Sequence, residues 1–133
     1  MKTDGWEKRL SDAVEAARGQ PFEWGSHDCA TWAFDVRQAL INGPDVVAWR
    51  GRYKTALGSH RAMRKLGWHT MEEGGRALMG EPLPGVLMAQ RGDLVLSQGD
   101  PAFGVCIGSQ VAFVGPSGLQ FVPLAECAMA WRV

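Results

Sequence analysis

The sequence lacks an excess of charge of either sign. Its 14 Lys and Arg residues balance 14 Asp and Glu residues, so the formal net charge at pH 7 is zero. Proteins that bind nucleic acids usually carry a basic excess, because they must neutralise phosphates. The balance therefore argues against a nucleic-acid partner.

Cysteine is scarce, with three residues and no Cys-x-x-Cys pair. An odd number of widely spaced cysteines fits neither a disulfide framework nor a four-ligand zinc site. We therefore expect no metal and no cofactor. One alternative, a metal or cluster site, is disfavoured by the scattered spacing of its ligands, which would be Cys29, Cys106, Cys127 and His27.

The sequence also lacks a hydrophobic segment suited to secretion or to a membrane. Its amino terminus is too polar for the apolar core of a signal peptide. The longest uncharged stretch, residues 101–125, contains four Gly and three Pro, which a membrane-spanning helix would not carry so densely. We expect a soluble protein that is made in a reducing cytoplasm, with no signal peptide and no membrane partner.

What is present indicates one folded domain over residues 1–133. The composition is 46% hydrophobic and 21% charged, which is ordinary for a globular protein of this length. Six Trp residues are the one unusual count. Because an indole ring buries a large area, they favour a core or a protein contact.

The first half of the chain, about residues 1–80, has the periodicity of helices. Four helices are predicted from caps and glycine stops. The first helix follows a cap at Thr3 or Asp4 and ends at Gly19, and the second runs from near Asp28 to Gly43-Pro44. A short basic third helix runs from Ser59 to Leu66. The fourth begins with the capping pair Thr70 and Glu73 and ends at Gly80.

The second half, about residues 86–133, contains short apolar runs separated by turn residues. Helices followed by closely spaced strands predict an α+β domain in which the helices pack on a carboxy-terminal antiparallel β-meander. The Pro- and Gly-rich segment 81–85 separates the two halves. Strands are predicted at residues 94–96, 103–107, 111–114, 119–122 and 128–133.

Cys29 is the first candidate for chemistry, because it lies where a turn containing Gly25 leads into the second helix. A thiol in the first turn of a helix feels the positive end of the helix dipole, which favours the thiolate that a cysteine nucleophile needs. The structural alternative is a small apolar residue that packs beside Trp32. Position alone favours the structural alternative.

Two neighbours of Cys29 are further candidates. His27 could act as a base toward the thiol, and Asp28 could assist it, although both residue types also cap helices, which is the more common role. His60 and His69 lie in polar segments without a carboxylate pattern that indicates catalysis.

Two other features allow a structural and a functional interpretation. The tripeptide Arg91-Gly92-Asp93 is interpreted as a turn before a strand rather than as an adhesion motif.

The densest basic set is either a solvated face or a surface for an acidic protein or a phosphate-bearing polymer. It comprises Arg50, Arg52, Lys54, His60, Arg61, Arg64 and Lys65.

Three motifs follow one another along the chain: Phe22-x-Trp24-Gly25 before Asp28-Cys29, residues 91–95 and residues 104–108. In this order and spacing, which cover most of the chain, they resemble the NlpC-type branch of the papain-like cysteine peptidases. Two further features are Trp49-Arg50-Gly51-Arg52-Tyr53 and Ala130-Trp131-Arg132-Val133. With them, the layout is similar to small NlpC-like proteins encoded among the tail genes of siphophages and gene transfer agents.

The resemblance implies a papain-like fold in which Cys29 is the nucleophile that cleaves peptidoglycan peptides. In the family, a His on the second core strand is the base and a polar residue on the next strand orients it. Here the His position holds Ala102, and the orienting position falls at the apolar pair Phe113-Val114.

These departures favour a degenerate fold with a structural or assembly role in a phage tail, at the tail tip. The expected partners are other tail-tip or hub proteins, and peptidoglycan if the site is active, and the expected location is the virion. The alternative is an active cysteine peptidase or amidase that cuts peptidoglycan peptides during phage DNA entry.

Overall fold

A computed structural model describes all 133 residues, and it confirms an α+β domain in which helices precede strands. The helices are α1 Trp6–Arg18, α2 Cys29–Ile41, α3 Ala56–Lys65 and α4 Met71–Met79. Short 3-10 turns lie at Val86–Met88 and Leu124–Glu126. The strands are β1 Leu94–Ser97, β2 Phe103–Cys106, β3 Gln110–Gly115, β4 Gly118–Pro123 and β5 Cys127–Trp131.

The five strands form one antiparallel sheet in the order β4-β3-β2-β1-β5. The first four strands are the predicted meander, but β5 does not extend it. The turn at Leu124–Glu126 returns the chain to the opposite edge, where Trp131 pairs with Leu94. Both partners are buried at this edge, so the pairing protects the edge of β1 and buries the indole of Trp131.

Helix α2 is the central helix and packs on β2 and β3. The predicted apolar stripe is confirmed, since Trp32, Ala33, Val36 and Leu40 are buried and Cys29 is partly buried. Phe34 links the helix to the sheet, with its ring centroid 5.2 Å from that of Phe103. A smaller core lies on the other face of the sheet and includes Val95, Cys106, Val111, Phe113, Leu124, Cys127 and Ala130.

Helices α2 and α4 have the predicted caps, because Asp28 accepts a hydrogen bond from the Thr31 N–H and Thr70 accepts one from the Glu73 N–H. Helix α2 ends slightly earlier than Gly43-Pro44, at Ile41, with Asn42 in the left-handed region at φ 51°. The α4 end at Gly80 is also as predicted.

Two predicted helix starts were wrong. Helix α1 begins after Gly5 rather than at a Thr3 or Asp4 cap, since the Thr3 hydroxyl donates to the Leu40 carbonyl and ties the amino terminus to α2. Helix α3 begins one turn before Ser59, because the Thr55 hydroxyl accepts a hydrogen bond from the Gly58 N–H at 3.0 Å. None of the four helices combines the length and the apolar character that crossing a bilayer requires.

Candidate active site

The start of α2 positions Cys29. Asp28 has an extended backbone at φ −120° and caps the helix, so Cys29 is its first residue. The capping carboxylate is itself buried, with 2% of its surface exposed. A buried carboxylate is stabilised only when its oxygens accept hydrogen bonds.

Three donors supply those hydrogen bonds to Asp28. The backbone N–H groups of Gly25 and Thr31 donate at 2.8 and 3.0 Å, and the Tyr53 hydroxyl donates at 2.5 Å. Gly25 has φ +84°, and a Cβ built there would lie 2.6 Å from the Tyr53 carbonyl oxygen. Glycine is therefore required where this turn contacts the segment that contains Tyr53.

The segment Trp49–Tyr53 is bonded at two further points, one on α2 and one on the turn before it. The Trp49 indole Nε1 donates to the Thr31 hydroxyl at 3.1 Å, and the Gly51 N–H donates to the Gly25 carbonyl at 2.9 Å. These contacts explain why the Trp-Arg-Gly-Arg-Tyr motif and the Gly25–Cys29 motif occur together. Each is incomplete without the other, because the buried polar groups of one are satisfied by the other.

Cys29 lies in a cleft of about 370 Å³, here named the Cys29 cleft. Part of its lining comes from α3, and another part comes from residues just before β2 and at the end of β3. The lining is mostly apolar. The lining includes Cys29, Asp100, Ala102, Val114 and the α3 residues Ala56, Ser59, His60 and Met63.

The surroundings of Cys29 favour the neutral thiol. Desolvation by burial raises the pKa of Cys29 to about 11, while a backbone hydrogen bond with Phe103 lowers it in part. The charges of Asp28 and Asp100 raise it further. At neutral pH the sulfur is therefore a thiol, in contrast to the thiolate that the helix position alone suggested.

The family resemblance assigns the base to position 102 and its orienting partner to the pair Phe113-Val114. Ala102 and Val114 line the cleft together with Cys29, whereas Phe113 belongs to the smaller core. Ala102 is held there by the turn between β1 and β2, where its N–H donates to the Ser97 hydroxyl at 2.9 Å. The arrangement thus brings a nucleophile position and two apolar positions to one cleft, without an imidazole on the sheet side.

Comparison with known families gives one match. The profile described as "Domain of unknown function (DUF6950)" matches residues 1–133. The chain belongs to the DUF6950 family. No curated protein matches the chain.

In this DUF6950 domain, His27 is separate from the Cys29 cleft. Its side chain is 4% exposed, does not line the cleft, and its Nε2 atom is buried without a hydrogen-bond partner. Burial lowers the pKa of His27, while the charges of Asp28 and Asp35 oppose that shift. Its backbone forms a bridge with Glu23 that shapes the turn before α2. Its observed contacts are structural.

His60 is the residue of this DUF6950 domain that sequence reasoning passed over. It is exposed on α3, yet it lines the Cys29 cleft. The sequence contained a pattern that could have identified His60. Residues 56, 59, 60 and 63 have the i, i+3, i+4, i+7 spacing of one helical face, and all four line the cleft. The expected helix start at Ser59 hid that pattern, because it placed Ala56 outside the helix.

The other sequence candidates have structural places. Asp93 of the Arg91-Gly92-Asp93 turn is fully buried and accepts hydrogen bonds from the N–H groups of Gln90 and Val133, as expected for a turn that leads into β1. No three His, Cys, Asp or Glu side chains come together as a metal site. Cys29 packs against the larger core, which includes Trp32, Phe34 and Phe103, whereas Cys106 and Cys127 belong to the smaller core on the other face of the sheet.

Proposed function

We propose that this DUF6950 domain has an NlpC-like, papain-like fold whose hydrolytic site has degenerated, and that it has a structural or assembly role at the tip of a phage tail. The observation that carries the proposal is the Cys29 cleft. It contains a cysteine at the start of a central helix, but Ala102 and Val114 occupy the sheet positions at which the resembling peptidases have polar groups.

The chemistry of amide hydrolysis makes these replacements decisive. A cysteine peptidase needs a thiolate to attack the carbonyl carbon and an acid to protonate the leaving amine. With a pKa of about 11, Cys29 is protonated at neutral pH. Neither Ala102 nor Val114 can accept its proton or donate one to the amine.

The phage-tail part of the proposal is supported by the family resemblance described above. Its motifs extend from Phe22 to the carboxy terminus, and the contacts between the Gly25–Cys29 turn and the Trp49–Tyr53 segment are consistent with motifs that belong to one fold. The proposed partners are other tail-tip or hub proteins, and the proposed location is the virion.

The alternative is an active cysteine peptidase or amidase that cuts peptidoglycan peptides during DNA entry. One observation favours it: His60 lines the same cleft as Cys29, from the α3 side. In that mechanism, His60 would have to take the proton from Cys29 and return it to the leaving amine. The two charged groups that influence Cys29, Asp28 and Asp100, instead oppose formation of the thiolate.

Alkylation and digestion measurements separate the two functions. We expect iodoacetamide to label Cys29 slowly below pH 9, and purified protein to leave muropeptides intact. His60→Ala should not change the labelling rate, and neither should the matched variant His69→Ala on the same surface. Rapid labelling at neutral pH that is lost in His60→Ala, with muropeptide cleavage that is lost in Cys29→Ala, would establish the enzyme instead.

A genetic complementation experiment tests the tail role directly. Deletion of the gene from a phage that encodes it should prevent the formation of infectious particles with complete tails. A Cys29→Ala allele should restore them, because the proposed role does not use the thiol. Normal tails in the deletion phage would contradict the tail role, and failure of a folded Cys29→Ala protein to complement would favour the enzyme.

A further inference from the structure

A second cavity lies on the opposite face of α3 from the Cys29 cleft. It is an open groove of about 680 Å³ between α3 and the segment Ala48–Tyr53, here named the basic groove. Its cationic lining residues are Arg52, Arg61 and Lys65, and its apolar lining includes Ala48, Ala62 and Leu66. None of these six residues lines the Cys29 cleft.

The charge around this groove is uneven in a chain that is neutral as a whole. Residues 46–71 contain six Lys and Arg residues and no Asp or Glu. The remaining 107 residues contain eight Lys and Arg against fourteen Asp and Glu. One part of the surface is therefore strongly positive, and such a local field attracts an anionic partner even when the net charge is zero.

Most of these cations have no partner within the chain. Arg50 forms ion pairs with Asp35 at 2.6 Å and with Asp45 at 3.3 Å. The other five are exposed, and none forms an ion pair or donates a side-chain hydrogen bond. They are Arg52, Lys54, Arg61, Arg64 and Lys65.

The stability of α3 does not explain the cluster. Arg64 and Lys65 are in the last turn, where a cation interacts favourably with the helix dipole. Arg61 and Lys65, however, are like charges at i and i+4, which destabilises a helix. Arg52 lies outside the helix altogether. The helix also has no buried residue, and Leu57 and Leu66 are 60% and 39% exposed.

The side chains that are accessible in the groove indicate which class of anion it can bind. Single-stranded nucleic acids bind through aromatic faces on which bases stack. The groove's two aromatic residues, Trp49 and Tyr53, are only 2% and 6% exposed, so they cannot present their faces. What remains accessible is a row of cations beside small aliphatic side chains, which complements carboxylates flanking an apolar side chain.

We infer that the basic groove binds an acidic polypeptide segment of a partner protein, with Arg52, Arg61 and Lys65 pairing with its carboxylates and an apolar anchor beside Leu66. Gly58 contributes to the shape of the groove. A Cβ at Gly58 would lie 2.9 Å from the Tyr53 Cβ, so glycine allows α3 to approach the Ala48–Tyr53 segment closely. This inference is independent of the proposed function.

Fluorescence anisotropy with a short Glu-rich peptide that contains a central Leu pair tests the inference. The variant Arg61→Glu/Lys65→Glu should weaken binding at least about tenfold, because it reverses the field of the groove. The control variant Lys8→Glu/Arg18→Glu makes the same change in net charge on α1 and should bind like the native protein. Thermal melting should show that both variants fold, and Arg61→Gln/Lys65→Gln gives a milder version of the same loss.

Three further comparisons decide the kind of partner. Replacing the Leu pair of the peptide by Ser should weaken binding several-fold. The inference is overturned if the native protein does not bind the Leu-containing peptide, or if a single-stranded oligonucleotide of equal charge binds as tightly. It is also overturned if the protein self-associates and the groove variant abolishes that association, because the occupant is then a second copy.

Discussion

Helix α3 lies between two cavities that differ in their lining residues, in their charge and in their contact with water. Residues 56, 59, 60 and 63 face the Cys29 cleft, and residues 58, 61, 62 and 65 face the basic groove. Both sets have the spacing of one helical face. The cleft contains a thiol with a raised pKa among apolar side chains, whereas the groove has unpaired cations in contact with water.

The difference shows which features the fold itself maintains. Asp28, Gly25 and Tyr53 form a buried network that satisfies polar groups at the start of α2, so it stabilises the protein whether or not Cys29 reacts. The groove cations are exposed and have no such internal role. An ordered network around a cysteine is therefore poor evidence for catalysis here, whereas the unpaired surface cations are the groups that the inferred acidic peptide would contact.

The largest expected effect is on the free energy of unfolding, which should depend strongly on the core beneath α2 and weakly on the surface of the basic groove. Trp32 is 6% exposed, so Trp32→Ala should lower the free energy of unfolding by about 3–5 kcal/mol. Arg52 is exposed, and Arg52→Ala should change it by no more than about 0.5 kcal/mol. Urea denaturation measures both. Similar midpoints for the two variants would show that Trp32 is not a core residue.

The second prediction tests whether the network at Asp28 serves stability. Asp28→Ala leaves three buried donors without an acceptor and should cost about 2–4 kcal/mol. Tyr53→Phe removes one donor and should cost about 1–2 kcal/mol. Both can be measured by urea denaturation, with Tyr53→Phe as the milder control. A folded Asp28→Ala protein of native stability would contradict the structural role.

The third prediction follows from the raised pKa of Cys29. The thiol of the folded protein has a pKa of about 11, against an ordinary value of 9.0, so unfolding releases its proton above pH 9. The stabilisation is complete below pH 9 and is lost as the pH rises towards 11. At about 1.4 kcal/mol per pKa unit, the loss is at most about 3 kcal/mol.

The measurement is the free energy of unfolding of the native protein and of Cys29→Ala between pH 8 and pH 11. The native protein should lose more stability over this range than the variant does. Other thiols with raised pKa values, Cys106 and Cys127, titrate in both proteins and cancel in the difference. Parallel curves would mean that folding does not raise the pKa of Cys29.

The smallest expected effect concerns reactivity in the Cys29 cleft. Ala102→His places an imidazole on the side of the cleft opposite α3 and should lower the pKa of Cys29 through ion pairing. We expect iodoacetamide labelling several-fold faster than in the native protein, but little or no muropeptide cleavage, since the apolar pair Phe113-Val114 offers no partner to orient the ring. Efficient cleavage by this variant would show that only the base was missing. An unchanged labelling rate would place position 102 away from the sulfur.

Local sequence signals predicted much of the architecture. Asp28 and Thr70 were recognisable as caps, Gly19 and Gly80 as ends of helices, and five apolar runs as strands. These features depend on interactions within one or two turns of chain, so their energies are encoded in neighbouring residues. The position of Cys29 at the start of a central helix was predictable for the same reason.

Contacts between distant segments decided the rest. Nothing near Asp28 indicates that the Tyr53 hydroxyl completes its hydrogen bonds, and nothing near Trp131 indicates that β5 pairs with β1 rather than following β4. Thr3 and Ser59 looked like caps, but tertiary contacts and an earlier cap at Thr55 displaced them. His60 reached the Cys29 cleft, and Arg52, Arg61 and Lys65 came together around one groove, only when α3 packed beside the Ala48–Tyr53 segment. The sequence by itself determined which helices and strands form, because local hydrogen bonds and hydrophobic periodicity select them. Only the tertiary structure decided which side chains meet, because that depends on how whole helix and sheet faces bury their apolar area together.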